Sequence, residues 1–426
     1  MSSRVAVIGG GWAGLAAAVA LSEDGHHVTL IEMAPQLGGR ARSVEHEGER
    51  FDNGQHILIG AYAQSLALLR SIGVDPDDAL LRIPLQLHYP DRAGLALPPG
   101  APMPSFARGV LAHRGWPLGA RLRLLAVAGG WLLNGFRCEP DRSVAQLCAG
   151  LPAVVNTELI EPLCVAALNT PAREASAAVF LRVLRDALFS GRGGSDLLLP
   201  RRGLSALLAE PAAAWLRGRG ADLRLGRRAN ALQRDASGWQ VDGEAFDAVV
   251  LACPSGEAAR MVRPLAPDWA AQAEALRFEP IVTVYLDSPG SSLPAPIVAL
   301  TEGLQAPAQF AFDLGQLGQQ PGRFAFVVSG ASAWIERGLE ATGAMTLEQA
   351  TDSLRWAAPP TVRKVLAEKR ATFACAPGLN RPPAVIAPGL WAAGDYVAGP
   401  YPATLEGAVR AGQAAAREIT RTTFSR

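Results

Sequence analysis

The stretch RVAVIGGGWAGLAAAVALSEDGHHVTLIE, residues 4–32, decides the fold of this chain. Its first run, Val5–Ile8, has the apolar composition of a buried strand, and HVTLIE at 27–32 has the same character. The Ala-rich stretch Leu15–Leu21 lies between the two runs and predicts a helix. A strand, a helix and a second strand at this spacing predict the βαβ unit of a nucleotide-binding domain.

Three glycines occupy the turn between the first strand and the helix in the pattern G-x-G-x-x-G. Gly9 permits the tight turn, Gly11 lets the backbone approach a pyrophosphate, and Gly14 lets the helix pack on the strand. The start of a helix also favours the negative charge of phosphate groups. Glu32 ends the second strand, where a carboxylate suits the ribose hydroxyls of an adenosine. The segment therefore predicts dinucleotide binding.

The next stretch, EMAPQLGGRARS at 32–43, resembles a motif of the glutathione-reductase-like flavoproteins in the amine oxidase and phytoene desaturase superfamily. In that superfamily this segment runs beside the pyrophosphate of FAD. The resemblance implies that Gly38, Gly39, Arg40 and Arg42 take the same role here. Paired glycines permit close backbone approach, and arginine offers a rigid fork of donors to phosphate. The alternative is an ordinary solvated basic turn.

The C-terminal stretch GLWAAGDYVAGPYPATLEGAVRAGQAAAREI, residues 389–419, resembles the last motif of the same superfamily. By this resemblance Asp395 binds the ribityl or pyrophosphate part of FAD, and the amides of 404–406 lie beside N1 and the C2 carbonyl of the flavin. FDAVVLACPS at 246–255 resembles a later sheet strand, and residues 229–231 resemble the adenine contact. The cofactor-binding residues implied by the resemblance are Gly9, Gly11, Trp12, Ala13, Gly14, Glu32, Met33, Gly38, Gly39, Arg40, Ala41, Arg42, Asn53, Gly54, Gln55, His56, Ala229, Asn230, Ala231, Ala252, Cys253, Gly394, Asp395, Ala403, Thr404, Leu405, Glu406 and Ala408.

Nucleotide motifs at both ends of the chain predict one α/β, glutathione-reductase-like Rossmann domain for FAD, built from discontinuous segments. These segments are 1–85, 196–264 and 381–426. The segments 86–195 and 265–380 then form an α+β substrate-binding domain with a mixed sheet, to which EPIVTVYLDS and GRFAFVVSG contribute strands. The sequence has no second G-x-G-x-x-G, so the electron donor is unidentified.

Residues 104–137 contain arginines interleaved with Leu, Trp and Phe, and no Asp or Glu. This pattern suits a helix lying on an anionic lipid surface. Its most apolar run, LLAVAGGWLLNGF, is too short to span a bilayer. We therefore expect a cytoplasmic protein, peripheral on the inner face of the cytoplasmic membrane, with this region as the membrane-facing part. The alternative is a helical lid with solvated arginines.

Composition narrows the function further. The 426 residues are 49% hydrophobic, which is ample for two or three domains. Forty basic residues nearly balance 39 acidic ones, so global charge gives no sign of nucleic-acid binding. The five cysteines form no C-x-x-C pair, and the sequence has no H-E-x-x-H or G-x-S-x-G motif. Metal-dependent and hydrolase chemistry therefore have little support.

FDNGQHILIGAY at 51–62, together with GDYVAGPYPATLEGAV at 394–409, resembles a narrower family over nearly the whole chain. These are the squalene-associated FAD-dependent proteins of bacterial hopanoid clusters, the hydroxysqualene dehydroxylases. The reaction of that family replaces the allylic hydroxyl of hydroxysqualene, a polyprenyl lipid, with hydrogen and gives squalene. The strand lysine and the covalent-flavin cysteine common in amine oxidases are missing here, which disfavours an amine oxidase.

The family resemblance implies that Gln55 and His56 project towards the flavin, near the polar centre of the substrate. An allylic alcohol loses water readily once its oxygen is protonated, and reduced flavin can then deliver hydride from N5. His56, with an ordinary pKa near 6.5, is the predicted acid or part of a proton relay, and Gln55 is predicted beside it. His56 could instead only hydrogen-bond the flavin or its phosphates, or cap a helix. Other proton donors considered are Asp313, Tyr396 and Tyr401.

Two other functions stay open from the sequence. A carotenoid- or phytoene-type desaturase or isomerase shares the fold, the cofactor and a polyprenyl substrate, but runs oxidatively. A flavin-free carrier of prenyl lipids is opposed by the intact residues of the cofactor motifs, among them Gly9, Glu32 and Asp395.

Overall fold

The computed structural model describes residues 2–235 and 238–424. The strands in these ranges are β1 Arg4–Ile8, β2 His27–Glu32, β3 Ser43–His46, β4 Glu49–Asp52, β5 Leu58–Ile59, β6 Leu80–Ile83, β7 Leu197–Pro200, β8 Asp222–Leu225, β9 Leu232–Asp235, β10 Gly238–Val241, β11 Glu244–Phe246, β12 Ala248–Leu251, β13 Phe278–Asp287, β14 Ile297–Ala299, β15 Phe310–Asp313, β16 Arg323–Val328, β17 Thr361–Phe373, β18 Val385–Ala387 and β19 Leu390–Ala392.

The helices in the same ranges are α1 Trp12–Glu23, α2 Ala63–Ser71, α3 Pro76–Ala79, α4 Pro102–Ala112, α5 Leu118–Leu133, α6 Val144–Leu147, α7 Ala153–Val155, α8 Glu161–Leu168, α9 Ala177–Phe189, α10 Glu210–Gly218, α11 Ser255–Val262, α12 Pro267–Glu274, α13 Ser332–Arg337, α14 Leu339–Ser353 and α15 Leu405–Phe424. Two π-helical turns, Asn156–Ile160 and Ser205–Ala209, lead directly into α8 and α10.

A six-stranded sheet of order β18-β19-β12-β1-β2-β8 forms one half of the molecule. All its strand pairings are parallel except that of β18 with β19. Its strands come from both ends and from the middle of the chain. The predicted βαβ unit is present, with α1 beginning at Trp12 directly after the glycine turn. Strand β8 ends at Leu225, because the chain turns at Gly226 with a φ of +66°.

Helices α1 and α15 pack on each other in close backbone contact. A Cβ atom added to Gly412 would lie 2.1 Å from the carbonyl oxygen of Ala13. The first and last helices are thereby fixed together beside the sheet, and their buried residues share one core with β1, including Leu15, Val409 and Ile419. This contact brings the two terminal motifs to the same edge of the molecule.

A five-stranded sheet of order β14-β15-β16-β13-β17 forms the second half. We expected a mixed sheet, but its four strand pairings are all antiparallel. The reason is that β14, β15 and β16 follow one another through short connections, whereas parallel pairing needs a long crossover. Alternate residues of β13 and β16, such as Val284 and Phe326, bury one face of the sheet in a core that includes Ala350 of α14.

Helices α4 to α9 form the helical part that contains the basic segment 104–137. Trp116, Leu124 and Phe180 are buried in its core. In the ranges that the structure describes, no helix is long and apolar enough to cross a membrane. Several leucines on α4 and α5 are nevertheless exposed, namely Leu111, Leu118, Leu122, Leu132 and Leu133.

Candidate active site

A cavity of about 620 Å³ lies between the two large sheets. On one side it is lined by the carboxyl ends of β1 and β2 and by the residues that follow β12 and β19. Nucleotide ligands bind at this edge of parallel α/β sheets. On the other side it is lined by β13, β15, β16 and β17 of the antiparallel sheet. The cavity therefore joins a nucleotide-type cradle to a largely apolar wall.

Most of the residues that the sequence singled out line this cavity. They are Gly9, Gly11, Trp12, Ala13, Glu32, Met33, Gly38, Gly39, Arg40, Ala41, Arg42, Asn53, Gly54, Gln55, His56, Ala229, Ala252, Cys253, Gly394, Asp395, Ala403, Thr404, Leu405 and Ala408. Four others, Gly14, Asn230, Ala231 and Glu406, lie outside the lining.

The glycine turn and the strand end beside it have the geometry of a dinucleotide cradle. A Cβ atom on Gly39, whose φ is +62°, would lie 2.9 Å from the Cα of Gly11, so position 39 requires glycine for this close approach of the two segments. The carboxylate of Glu32 accepts backbone N–H groups from Gly10 and Ala34, each at 2.7 Å. These contacts hold Glu32 at the end of β2, in the position that suits a ribose. The residues present thus fit a flavin dinucleotide.

Arg40 and Asp395, which the sequence assigned separately to the cofactor, form an ion pair of 2.6 Å between Nη2 and Oδ1. Arg40 also donates to the carbonyl oxygen of Ala371 at 2.6 Å. Burial lowers the pKa of Arg40, but the charge and hydrogen bond of Asp395 outweigh it and raise that pKa. Arg381 donates to the backbone oxygens of Asp395 and Tyr401, which ties the C-terminal motif to this pair.

Gln55 and His56 both reach the cavity, but their environments differ. The amide of Gln55 donates to the hydroxyl of Tyr285 at 3.1 Å, and that hydroxyl donates to the carbonyl oxygen of Asp52 at 2.7 Å. Burial, and next the charge of Arg40, lower the pKa of His56 from 6.5 to about 4. The imidazole is therefore neutral near pH 7 and does not carry the proton that an ordinary histidine would share there.

Of the other predicted proton donors, only Tyr396 lines the cavity, whereas Asp313 and Tyr401 lie outside it. Tyr396 lines the cavity, and its phenolic oxygen is buried without a hydrogen-bond partner among the described residues. Burial raises the pKa of that phenol well above 10. Asp313 is buried away from the cavity, where Ser292 and the amide of Leu293 donate to it at 2.9 Å. Tyr401 also lies outside the lining.

The four residues outside the lining have structural contacts instead. Gly14 packs α1 on the glycine turn, as the motif predicts, because a Cβ there would lie 1.9 Å from the oxygen of Gly9. The amides of Asn230 and Ala231 both donate to Asp242, at 3.0 and 2.8 Å. The cavity is lined at this point by Arg227 and Arg228, which the sequence did not indicate, as well as by Ala229.

Glu406 faces α2 rather than the cavity. Its carboxylate is fully buried and accepts the amides of Gln64 and Ser65 at 3.1 and 2.8 Å, at the start of that helix. It also pairs with Arg410 at 2.7 Å. A carboxylate at a helix N-terminus is a stabilising arrangement. The sequence could not place it, because only packing brings α2 against α15.

The apolar wall of the cavity was not predicted residue by residue. It includes Ile281 and Thr283 of β13, Phe310 and Phe312 of β15, and Leu366 and Glu368 of β17. Each pair is two positions apart, which places both side chains on one face of the strand. This alternation was visible in EPIVTVYLDS, but which face meets the cavity depends on the packing of α14.

With this geometry defined, the chain can be placed among known proteins: it belongs to the flavin containing amine oxidoreductase family, whose pattern matches residues 12–420. It is 30% identical to a hydroxysqualene dehydroxylase from Rhodopseudomonas palustris, over 98% of both chains. A zeta-carotene desaturase from Zea mays is 38% identical, but over only 17% of this chain and 13% of its own. An oxidoreductase from Methanosarcina mazei has the same fold, with a TM-score of 0.75, 16% identity, and coverage of 97% of this chain and 100% of that one.

These similarities confirm the predicted α/β flavoprotein fold and the predicted resemblance to hydroxysqualene dehydroxylases. The protein is a flavin-dependent oxidoreductase. The local match to a desaturase and the full-length match to a dehydroxylase differ chiefly in coverage.

Proposed function

We propose that this protein catalyses the FAD-dependent reductive removal of the allylic hydroxyl of hydroxysqualene, with squalene as the product. Its full-length similarity to a hydroxysqualene dehydroxylase supports the substrate. The observation that carries the proposal is a cavity in which the glycine cradle and an apolar sheet face meet. A polyprenyl chain is almost insoluble in water, so an enzyme for it needs such an apolar wall next to its cofactor.

FAD is the proposed form of the flavin because the cradle is built for a dinucleotide. Gly9, Gly11 and Gly39 permit backbone approach to a pyrophosphate, and Glu32 suits the ribose of an adenosine. The start of α15 at Leu405 lies at the cavity, where a helix N-terminus stabilises negative charge. When bound and reduced, the flavin supplies a hydride.

The protein itself must hold the substrate, exclude water and manage one proton. Aromatic and aliphatic side chains such as Phe310 and Leu366 line the wall that would contact the polyprenyl arms. Gln55 and His56 are proposed to contact the polar centre of the site. Because its imidazole is neutral, His56 is proposed as a member of a proton relay rather than as the stored proton.

The membrane contact, the location and the domain boundaries belong to the same proposal. We propose that residues 104–137 dock on the inner face of the cytoplasmic membrane, so that the lipid substrate enters from the bilayer. The exposed leucines on α5, two of which are Leu122 and Leu133, support this docking. Arg114 and Arg123 are exposed in the same region and suit anionic lipid. The segments 1–85, 196–264 and 381–426 are proposed as the FAD domain.

An anaerobic single turnover tests the function. The bound flavin is reduced, hydroxysqualene is added, flavin reoxidation is followed by absorbance, and the lipid is extracted. Reoxidation matched by squalene formation is the expected result. If flavin-containing protein shows no reoxidation, the reductive function is wrong and the desaturase reaction should be assayed with oxidised flavin and phytoene-like substrates. Purified protein that binds no flavin would support a lipid carrier instead.

A further inference from the structure

We propose that Glu368 is the acid that protonates the leaving hydroxyl group. This inference rests on the proposed function and adds to it the missing proton donor. Glu368 lies on β17, and its side chain is on the cavity face of the antiparallel sheet. It is paired in register with Ile281 of β13, and Leu366 precedes it on the same face. A carboxyl group is thus placed within the apolar wall rather than in the nucleotide cradle.

The other carboxylates among the described residues of the lining are already engaged in structural contacts. Glu32 accepts two backbone amides at the end of β2. Glu257 pairs with Arg228 at 2.8 Å and with Arg260 at 3.1 Å. Asp395 pairs with Arg40 at 2.6 Å. Of these four carboxyl groups, only Glu368 belongs to the sheet that would contact the lipid.

Glu368 is held by neutral donors. The side-chain amide of Asn53 donates to Oε2 at 3.0 Å, and the backbone N–H of Arg370 donates to Oε1 at 3.2 Å. In the described part of the chain, no Lys, Arg or His side chain lies within ion-pair distance of it. Each carboxyl oxygen therefore accepts one donor and keeps one free lone pair, and a proton on that free position can be donated to a substrate hydroxyl.

Asn53 also connects Glu368 to the residues that the sequence predicted near the flavin. The same amide nitrogen donates to the carbonyl oxygen of Arg40 at 3.0 Å, and Asn53 is followed by Gly54, Gln55 and His56. Glu368 therefore lies where the apolar wall meets the predicted cofactor loop. The hydroxyl-bearing carbon of the substrate must be at such a junction, because its polyprenyl arms need the wall and its reacting carbon needs the cofactor.

The charged groups around Glu368 permit this role. Arg40 interacts electrostatically with Glu368, but its guanidinium group is already paired with Asp395. Arg370 contributes its backbone to Glu368 and also lines the cavity. His56 is neutral near pH 7.

In the proposed step the Glu368 carboxyl transfers its proton to the hydroxyl oxygen, and the C–O bond breaks with its electron pair going to oxygen, which leaves as water. The substrate is left as a delocalised allylic cation, and the hydride that the reduced flavin would supply brings the two electrons that complete the product. Glu368 is left as a carboxylate and regains a proton from solvent after the product departs.

The test compares Glu368→Gln with wild type in the reduced-flavin single turnover. The variant keeps the size of the side chain and removes the proton. We expect the rate of squalene formation to fall by about 10²–10⁴-fold, the usual contribution of a general acid. Glu368→Asp, which keeps a carboxyl group, should recover part of the rate. Glu348→Gln is the matched control, because Glu348 is exposed on α14, which packs on the opposite face of the sheet.

Two further readouts separate an acid from a residue that only shapes the wall. In the acetyl ester of hydroxysqualene the leaving group is acetate, which departs without being protonated. The Glu368→Gln variant should therefore convert this ester at the wild-type rate. In wild type the rate with the alcohol should fall as pH rises, and this fall should be absent in Glu368→Gln. Equal losses with alcohol and ester, or an unchanged rate with the alcohol, would overturn the assignment. Wild-type protein that makes no squalene would instead contradict the proposed function.

Discussion

Arg40 and Asp395 lie 2.6 Å apart although 355 positions separate them in the chain. One belongs to the G-G-R segment after β2, and the other to the Gly-Asp pair after β19. Their ion pair closes the cradle by linking its N-terminal and C-terminal parts. Each residue was expected to contact the cofactor directly, so the pair gives both residues a shared structural role as well.

Breaking this pair should weaken both stability and flavin binding. Arg40→Ala leaves the buried Asp395 carboxylate without its cation. Removing one partner of a fully buried pair costs about 3–5 kcal/mol, and we expect less here because Arg40 is partly exposed to the cavity. Urea unfolding and the flavin absorbance of the purified variant measure the two effects. Normal flavin content together with normal stability would contradict the role given to the pair.

Glu406 should contribute to stability rather than to cofactor contact. Glu406→Ala removes a fully buried carboxylate from the start of α2 and leaves Arg410 without its partner. We expect the free energy of unfolding to fall by somewhat less than the roughly 3–5 kcal/mol of a fully buried pair, because Arg410 is 38% exposed. Glu418→Ala on the same helix is the control, because its pair with Arg421 is at the surface and should contribute about 1 kcal/mol or less. Similar losses in the two variants would disprove the assignment.

Asp52 should make stability depend on pH. Burial raises its pKa from 3.8 to about 6, although hydrogen bonds from Ser43 and the amide of Leu204 lower it. Between about pH 4 and 6 the folded protein therefore holds this proton more often than the unfolded chain, and Asp52 reduces stability as pH rises. Asp52→Asn should gain about 3 kcal/mol relative to wild type across this window. Urea titrations at several pH values measure the difference, and a constant difference would contradict it.

His56 should make folding stability change with pH in the direction opposite to that of Asp52. Its pKa is lowered to about 4, so between about pH 4 and 6.5 the unfolded chain binds this proton more readily than the folded protein. The histidine therefore favours folding increasingly as pH rises. His56→Gln should lose stability relative to wild type over that interval, in the same titrations. If the stability difference from wild type changed in the same direction with pH for both variants, the burial of Asp52 or of His56 would be wrong.

The glycine turn should tolerate no side chain at Gly14. In Gly14→Ala the new methyl group would lie 1.9 Å from the oxygen of Gly9, so α1 must move away from β1. We expect a loss of at least about 1–3 kcal/mol and a reduced flavin content. Gly129→Ala in α5 is the matched control, because a Cβ there meets nothing within 4 Å and should stabilise the helix by up to about 1 kcal/mol.

Membrane docking should depend on the exposed leucines of α5. Leu118 and Leu122 are 62% and 52% exposed, so replacing both with Glu should leave folding intact and add charge that anionic lipid repels. Co-sedimentation with anionic liposomes should fall strongly for this double variant. Leu304→Glu, at a leucine 85% exposed outside residues 104–137, should bind as wild type does. Equal binding by all three proteins would rule out docking through α5.

Local patterns in the sequence were sufficient to predict the N-terminal part of the nucleotide cradle. The spacing of Gly9, Gly11 and Gly14, the apolar strands on either side and the acid at Glu32 all lie within 29 residues, and the structure forms β1, α1 and β2 from them. Such patterns work because hydrogen bonding and steric limits act between near neighbours in the chain. The basic, leucine-rich character of 104–137 was equally visible, whereas its partner surface is not a property of the chain alone.

Only the tertiary structure decided what the long-range partners are. The sequence did not indicate that Glu406 binds the start of α2, that Asp313 lies away from the cavity, or that burial beside Arg40 makes His56 neutral. It also did not indicate Glu368, because a glutamate in a strand is ordinary until β13 pairs beside it and Asn53 donates to it. Periodicity fixes which residues share a face, but the packing of whole elements decides what that face meets, and with it the charge and the chemistry of each side chain.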